Sequence, residues 1–241
     1  MRLGLIQLYE VEPPMREAHG VLADMFDRLL SIGGLSAQWR IYDGFAGEIP
    51  QKPDECDGYV ISGSKCAVYE DHPWLPPLFA FIQKLHAAAA PPLAGICFGH
   101  QAIAQALGGK VEKSEKGWGV GRHSWRMNGK CEWIKAPPDE LRLLVSHQDQ
   151  VTTMPPGAEV LATSDFCPYS VFRMGGHIFC IQGHPEFSQA FVDALLDQRT
   201  EIIPPDVWRV AKNNVNDEND SKLCAQWLAE FFTGGQKRAN I

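Results

Sequence analysis

Short apolar runs alternate with amphipathic helical patterns through the first 109 residues, and this alternation constrains the fold more than any other feature of the chain. Four runs predict strands, the first of them buried: LGLIQLYE (3–10), SAQWRIYDG (36–44), CDGYVISGS (56–64) and PPLAGI (91–96). Apolar residues at helical spacing follow three of them, in 21–32, 73–90 and 98–109. This order is typical of a layered α/β fold, in which helices flank a mainly parallel central sheet.

The second half of the chain changes in character. Residues 110–183 hold shorter alternating segments divided by Gly, Pro and Asp, including CEWIK (131–135), and they predict strands and hairpins that partly extend the sheet. Two amphipathic helical patterns follow, in 188–203 and 221–232. Because no linker divides the chain, we predict a single domain over 1–241, with 188–241 as its helical C-terminal extension.

Composition excludes several classes of function. The net charge of −7 argues against a nucleic-acid-binding surface, and no apolar run is long enough to span a membrane or to act as a signal peptide. The seven cysteines are scattered without a C-x-x-C pair, so no metal site and no cofactor are expected. Free thiols predict a reducing, cytoplasmic compartment.

One cysteine stands at the joint between a predicted strand and a predicted helix. Gly95 and Gly99 flank Cys97 in a G-x-C-x-G pattern, which is the nucleophile elbow with sulfur in place of oxygen. The free N–H groups at the start of the helix favour a thiolate, and the N–H of Phe98 is placed to bind an oxyanion. The pattern alone fits a small buried core residue equally well.

A histidine beside a carboxylate favours catalysis. His184 follows the apolar run HIFCIQG and precedes Pro185 and Glu186. Proline favours an extended conformation before it, so we expect the His184 and Glu186 side chains, two residues apart, to converge. His100, on the elbow helix, is expected to pack or to support the site without acting as the base, and whether it tunes the thiolate stays open. No carboxylate pattern accompanies four other histidines, His19, His72, His86 and His123.

GICFGHQ (95–101) followed by GHPE (183–186) resembles the class I glutamine amidotransferases, over about residues 3–190. The resemblance implies a flavodoxin-like fold and a catalytic triad of Cys97, His184 and Glu186. In that family the cysteine attacks the carbonyl of a γ-glutamyl amide, an amine or ammonia leaves, and water hydrolyses the glutamyl thioester.

The resemblance also implies the residues that hold the substrate. VISGS matches the family's Gly-rich oxyanion loop, but Ser64 replaces the second glycine, which leaves open whether the amide of Gly63 or that of Ser64 points inward. Gln101 matches a substrate-holding glutamine. VSHQDQV places Ser146 and His147 beside the α-amino and α-carboxylate groups of the substrate.

Two functions within this chemistry remain open. The chain has neither a P-loop nor a dinucleotide-binding G-x-G-x-x-G, and it resembles stand-alone members near the glutaminase domain of GMP synthetase, some of which are γ-glutamyl peptidases. It therefore either hydrolyses a small γ-glutamyl compound alone or supplies ammonia to a synthetase partner. A third hypothesis, a non-catalytic cysteine sensor, needs no oriented base. The exposed faces of the C-terminal helices fit a homodimer or only cover the core.

Overall fold

The structure, a computed structural model, describes residues 1–238. Residues 239–241 of the predicted C-terminal extension lie outside the described residues. The strands are β1 (Arg2–Gln7), β2 (Gln38–Asp43), β3 (Gly58–Ile61), β4 (Leu93–Ile96), β5 (Lys110–Lys113), β6 (Gly119–Met127), β7 (Glu140–His147), β8 (Asp149–Thr153), β9 (Ala158–Thr163), β10 (Val171–Met174) and β11 (Ile178–Ile181). The helices are α1 (Met15–His19), α2 (Leu22–Ile32), α3 (Leu75–Ala88), α4 (Phe98–Ala106), α5 (Gln189–Gln198), α6 (Pro205–Asn214) and α7 (Ser221–Arg238), with a 3₁₀ turn over Pro53–Glu55.

Nine of the strands form one sheet in the order β2-β1-β3-β4-β11-β10-β9-β6-β7. Strands β2, β1, β3, β4 and β11 pair in parallel, and the remaining strands continue the sheet in antiparallel pairs. Strands β5 and β8 form a separate two-stranded ribbon. The layered α/β fold predicted from the sequence is therefore confirmed, including the extension of the sheet by the strands of the second half.

Helices cover both faces of the parallel strands. Apolar residues of α2, α5 and α7 join one core cluster, whereas those of α3 and α4 join the other. All four residues of β3, β4 and β11 are buried, as expected for strands enclosed on two sides. Among the described residues, none of the helices combines the length and apolar character needed to cross a membrane.

Two local predictions from the sequence are wrong. The helical pattern of 21–32 places Val21 and Ile32 on its apolar face, but their side chains are 39% and 57% exposed, and Val21 is the N-cap residue of α2. The buried stripe of α2 consists of Leu22, Met25, Phe26, Leu29 and Leu30. The segment CEWIK forms only an isolated bridge between Cys131 and Ile134 and not a strand, because its Trp133 turns inward to pack on Phe231 of α7 with ring centroids 4.8 Å apart.

The parallel pairing brings three strand ends to one edge of the sheet. Ile181 of β11 lies opposite Ile96 of β4, and Ile61 of β3 lies opposite Gly95. The residues that follow these strands therefore meet at their carboxyl ends, where open α/β sheets bind ligands.

Candidate active site

The backbone at Cys97 turns sharply between β4 and α4. Cys97 has φ 52° and ψ −101°, a conformation that non-glycine residues rarely adopt and that stores strain. A Cβ atom on Gly95 would lie 2.6 Å from the carbonyl oxygen of Gly99, and one on Gly99 would lie 2.2 Å from that of Ile61. Both glycines of the predicted elbow are thus needed for the helix to start so close to the sheet.

The elbow directs the start of α4 toward the sulfur. Cys97 is 5% exposed and is the N-cap residue of α4. Its backbone N–H donates to the carbonyl of Ile181 at 2.9 Å, which ties the turn to β11. Phe98 is the first residue of α4, so its N–H has no partner within the helix and remains available to a ligand.

The second half of the site is a histidine–carboxylate pair. Nδ1 of His184 lies 2.8 Å from Oε1 of Glu186, and both side chains are buried. The imidazole stacks on the ring of Phe187 at 4.1 Å, and the His184 backbone N–H donates to the carbonyl of Leu144 at 2.8 Å. Backbone and ring are therefore both fixed, with the Glu186 contact orienting the imidazole.

The structure supports the expected convergence of these two side chains but gives a different cause for it. The N–H of Phe187 approaches the carbonyl of His184 at 3.4 Å, and Pro185 and Glu186 form a turn. Proline suits the second position of such a turn because its φ is already set. The side chains converge across the turn, not by alternation along an extended segment.

Opposing charges determine the protonation of His184. Burial alone disfavours the imidazolium, but the nearby Cys97 thiolate and Glu186 carboxylate outweigh burial and raise the pKa of His184 well above its usual range. An imidazole held beside two such groups is favoured in its protonated form.

The loop after β3 packs against His184 and Cys97. A Cβ atom on Gly63 would lie 2.9 Å from Cε1 of His184 and 3.8 Å from Cβ of Cys97. Ser62 Oγ accepts from the N–H of Leu8 at 2.8 Å and donates to the carbonyl of Gly63 at 2.9 Å. Because a trans peptide directs its N–H opposite to its carbonyl, the Ser64 amide points away from Ser62.

The serine at position 64 is accommodated without backbone strain. Neither Gly63 nor Ser64 has a positive φ. The Ser64 hydroxyl oxygen accepts from the N–H of Cys66 at 3.1 Å, so it stabilises the loop in place of a second glycine.

A glutamine that sequence reasoning missed links Gln101 to the sulfur. Nε2 of Gln101 donates to the carbonyl of Asp149 at 2.8 Å and to Oε1 of Gln182 at 3.2 Å. Nε2 of Gln182 in turn lies 3.6 Å from Sγ of Cys97. The available signal was the position of Gln182, directly after β11 and two residues before His184.

Two further histidines, His147 and His100, lie near the site. His147 donates from Nδ1 to the carbonyl of Asp149 at 3.0 Å, and burial lowers its pKa to about 3. His100 is fully buried, donates from Nε2 to the carbonyl of Tyr169 at 2.7 Å and packs on Phe172. Burial lowers the pKa of His100 to about 4. Both imidazoles are therefore neutral, and each donates one hydrogen bond to a backbone carbonyl.

A cavity of about 700 Å³ opens beside the elbow. Six of the residues expected at the site line it: Ser64, Cys97, Phe98, Gln101, Ser146 and His147. A small adjoining hollow adds the other three, Gly63, His184 and Glu186. The cavity and the hollow also share Arg199, which sequence reasoning missed and which donates to Oγ of Ser146 at 2.7 Å.

Three side chains beside the cavity are of types that can ligate a metal ion. Ligand atoms of Cys66, Glu70 and His72 lie within 4.8 Å of one another. Nε2 of His72 is 2.9 Å from Oε2 of Glu70, which contradicts the expectation that His72 lacks a carboxylate neighbour. The same Glu70 oxygen accepts from the N–H of Ala67, so the contacts within the loop already account for this geometry.

Comparisons with known proteins agree with the fold and the motifs. The family model "Glutamine amidotransferase class-I" matches residues 26–196. γ-Glutamyl peptidase 3 of Arabidopsis thaliana is 31% identical over 215 residues, covering 85% of this chain and 86% of the relative. The glutamine-hydrolysing GMP synthase of Dehalococcoides mccartyi is 37% identical over 132 residues, covering 54% of this chain and 23% of the synthase.

A solved structure shares the fold. The crystal structure of a glutamine amidotransferase from Thermotoga maritima superposes with a TM-score of 0.73 over 97% of each chain, at 22% identity. At that identity the likeness establishes the architecture alone.

Proposed function

Because the chain belongs to the class I glutamine amidotransferase family, we propose that it hydrolyses a γ-glutamyl amide bond with a triad of Cys97, His184 and Glu186. Cys97 is the nucleophile, His184 the acid and base, and Glu186 the residue that orients the imidazole. The observation that carries the proposal is the 2.8 Å contact between His184 and Glu186 beside a strained, glycine-flanked cysteine.

The first half-reaction forms a thioester. The Cys97 thiolate attacks the γ-carbonyl carbon, a C–S bond forms, and the carbonyl electron pair moves onto oxygen. The N–H groups of Phe98 and Ser64 donate to this oxyanion. When the oxyanion collapses, the C–N bond breaks and the His184 imidazolium gives its proton to the departing nitrogen, which leaves as an amine or ammonia.

The second half-reaction restores the enzyme. Neutral His184 takes a proton from water, and the resulting hydroxide attacks the thioester carbon. Collapse of this second oxyanion breaks the C–S bond and releases glutamate, leaving Cys97 as the thiolate and His184 protonated. Glu186 stabilises that imidazolium without accepting its proton. The raised pKa of His184 supports an imidazole that is protonated before the attack.

The size of the cavity favours hydrolysis of a γ-glutamyl peptide or amine by the chain alone. A space of about 700 Å³ continues from Cys97 past Tyr69 and Ile202, and ligand sites for molecules larger than an amino acid have this scale. The γ-glutamyl peptidase relatives, aligned over most of their length, support the same substrate class.

The alternative is a glutaminase subunit that supplies ammonia to a synthetase partner. The GMP synthase relative supports this alternative, because the present chain aligns with less than a quarter of that longer protein. A turnover assay of the isolated chain on glutamine and a panel of γ-glutamyl amines and peptides separates the two. Efficient turnover of peptides favours hydrolysis, whereas turnover that requires an added synthetase favours the alternative.

The triad is tested by Cys97→Ala, which we expect to abolish hydrolysis while leaving the folded structure intact. Cys180→Ala is the matched control, because Cys180 is also buried but belongs to β11. In the wild type, the glutamyl thioester is trapped by acid quench during turnover, and mass spectrometry then identifies the cysteine that carries the glutamyl group. Retained turnover in Cys97→Ala, or a thioester on another cysteine, would contradict the assignment.

We further propose that the chain acts as one domain without a cofactor, with residues 188–241 forming its helical extension. Packing of α5 and α7 into the same core cluster as β1 supports this organisation. The seven cysteines are all unpaired, which supports a reducing, cytoplasmic compartment.

A further inference from the structure

We propose that Arg199 binds the α-carboxylate of the γ-glutamyl group, an inference that deepens the proposed function and depends on it. Arg199 follows α5 directly and is half-buried. Its guanidinium donates to Oγ of Ser146 at 2.7 Å. Within residues 1–238, no carboxylate oxygen lies within 4.0 Å of this guanidinium.

A half-buried guanidinium without a carboxylate partner is costly. Burial lowers the pKa of Arg199, although the charges of Tyr9 and Cys97 oppose this shift. A charge removed from water needs a partner of opposite sign to recover the cost. Arg199 lines both the cavity and the hollow that contains Cys97 and His184, so an anionic ligand there would supply that partner.

The other cations of the cavity are differently placed. Nζ of Lys65 pairs with Oε1 of Glu12 at 2.8 Å, and Lys113 is exposed at the rim. Arg199 is therefore the cation of this cavity that combines partial burial with a lack of a carboxylate partner in the described part of the chain.

The chemistry of the substrate identifies the anion. With its γ-carbonyl at Cys97, a γ-glutamyl group carries its α-carboxylate a short aliphatic chain away, whatever amine stands on the other side of the scissile bond. The planar guanidinium offers two parallel N–H donors that match a carboxylate, which a lysine cannot do. Oγ of Ser146 accepts from one N–H of the Arg199 guanidinium and so fixes the orientation of the other N–H groups.

The C-terminal helices fix Arg199 over the site. The backbone carbonyl of Arg199 accepts from the N–H of Ile203 at 3.0 Å, and Nε1 of Trp208 in α6 donates to the carbonyl of Leu196 at 3.0 Å. Arg199 lies just beyond the residues that the family model matches, 26–196. In this chain the extension thus contributes a specificity-determining residue as well as packing.

The test compares two chromogenic substrates with the same uncharged leaving group, γ-glutamyl-p-nitroanilide and its α-carboxamide analogue. For Arg199→Met we expect kcat/KM on the carboxylate substrate to fall at least about 30-fold, mainly through KM, because an Arg–carboxylate contact is lost. On the carboxamide analogue we expect a change of less than about threefold. On the carboxylate substrate, the kcat/KM of Arg199→Lys should lie between that of Arg199→Met and that of the wild type. Arg209→Met changes a residue on the exposed surface of α6, and its kcat/KM should match the wild type.

Inactivation of Cys97 by a glutamine-derived chloroketone provides a readout that does not require turnover. We expect Arg199→Met to slow inactivation by this reagent but not by its α-carboxamide analogue or by iodoacetamide. A chain that shows this selectivity but hydrolyses nothing would retain the Arg199 inference while overturning the proposed hydrolysis. Equal losses on the carboxylate and carboxamide compounds would overturn the inference and make Arg199 a structural residue.

Discussion

Gly63 packs against His184 so closely that a Cβ atom at position 63 would lie 2.9 Å from Cε1 of the imidazole. The loop after β3 and the turn after β11 are thus in direct contact beside Cys97. Because 2.9 Å is shorter than any normal van der Waals separation between two carbon atoms, a larger residue at position 63 must displace either the loop or the imidazole.

We therefore predict that Gly63→Ala lowers kcat about 100-fold, since a displacement of about 1 Å in a catalytic group has an effect of this size. Gly234→Ala is the control, because a Cβ atom there would meet no atom within 4 Å. Steady-state kinetics and thermal unfolding of both variants check the prediction. A Gly63→Ala enzyme with wild-type kcat would show that the imidazole does not need its present position.

The protonation of His184 gives a second prediction. The charges of Cys97 and Glu186 outweigh the effect of burial and raise the pKa of His184 to about 10. We expect Cys97→Ser to lower the pKa of His184, because a neutral hydroxyl replaces the thiolate. Titration of ¹³C-labelled histidine by NMR measures the shift in both proteins, and an unchanged His184 titration would contradict the coupling.

The same shift makes stability depend on pH. A histidine whose pKa is raised by folding stabilises the native state fully below its unfolded pKa, near 6.5, and this contribution disappears as pH rises through the folded value. Between pH 7 and pH 10 we expect the free energy of unfolding of the wild type to fall relative to that of His184→Gln. Urea unfolding across this range measures the difference, and parallel curves for the two proteins would exclude the effect.

Features encoded locally could be predicted from the sequence. The strand–helix alternation, the glycines around Cys97 and the proximity of His184 to Glu186 depend on neighbours a few residues away. Even there, the turn at Pro185 replaced the predicted extended segment, because both conformations satisfy the constraint that proline imposes on the residue before it.

Contacts between distant segments could not be predicted. Arg199 meets Ser146 only because α5 packs over the end of β7, and Trp133 leaves its predicted strand because α7 offers Phe231 as a partner. The position of Gln182 directly after β11 was a signal, but its role requires both Gln101 and Cys97 to be placed first.

Gln182 supports a fourth prediction. Its amide lies between Gln101 and the sulfur of Cys97, so it donates to the sulfur while accepting from Gln101. We predict that Gln182→Leu lowers kcat about tenfold, because a hydrogen bond to a charged group is worth about 1.5 kcal/mol or more. Pre-steady-state kinetics should place the loss in thioester formation, and a loss confined to substrate binding would assign Gln182 to the pocket instead.

Glu186→Gln separates orientation of His184 from its charge. A glutamine retains an oxygen that can accept from Nδ1 of His184 but removes the carboxylate charge that raises the pKa of the imidazole. We predict that kcat falls on the order of 10⁴-fold, a weaker effect than that of His184→Ala, which removes the base itself. The pH dependence of kcat should also change, because the His184 pKa falls. If Glu186→Gln retained both the wild-type rate and the wild-type pH profile, another group would have to orient the imidazole.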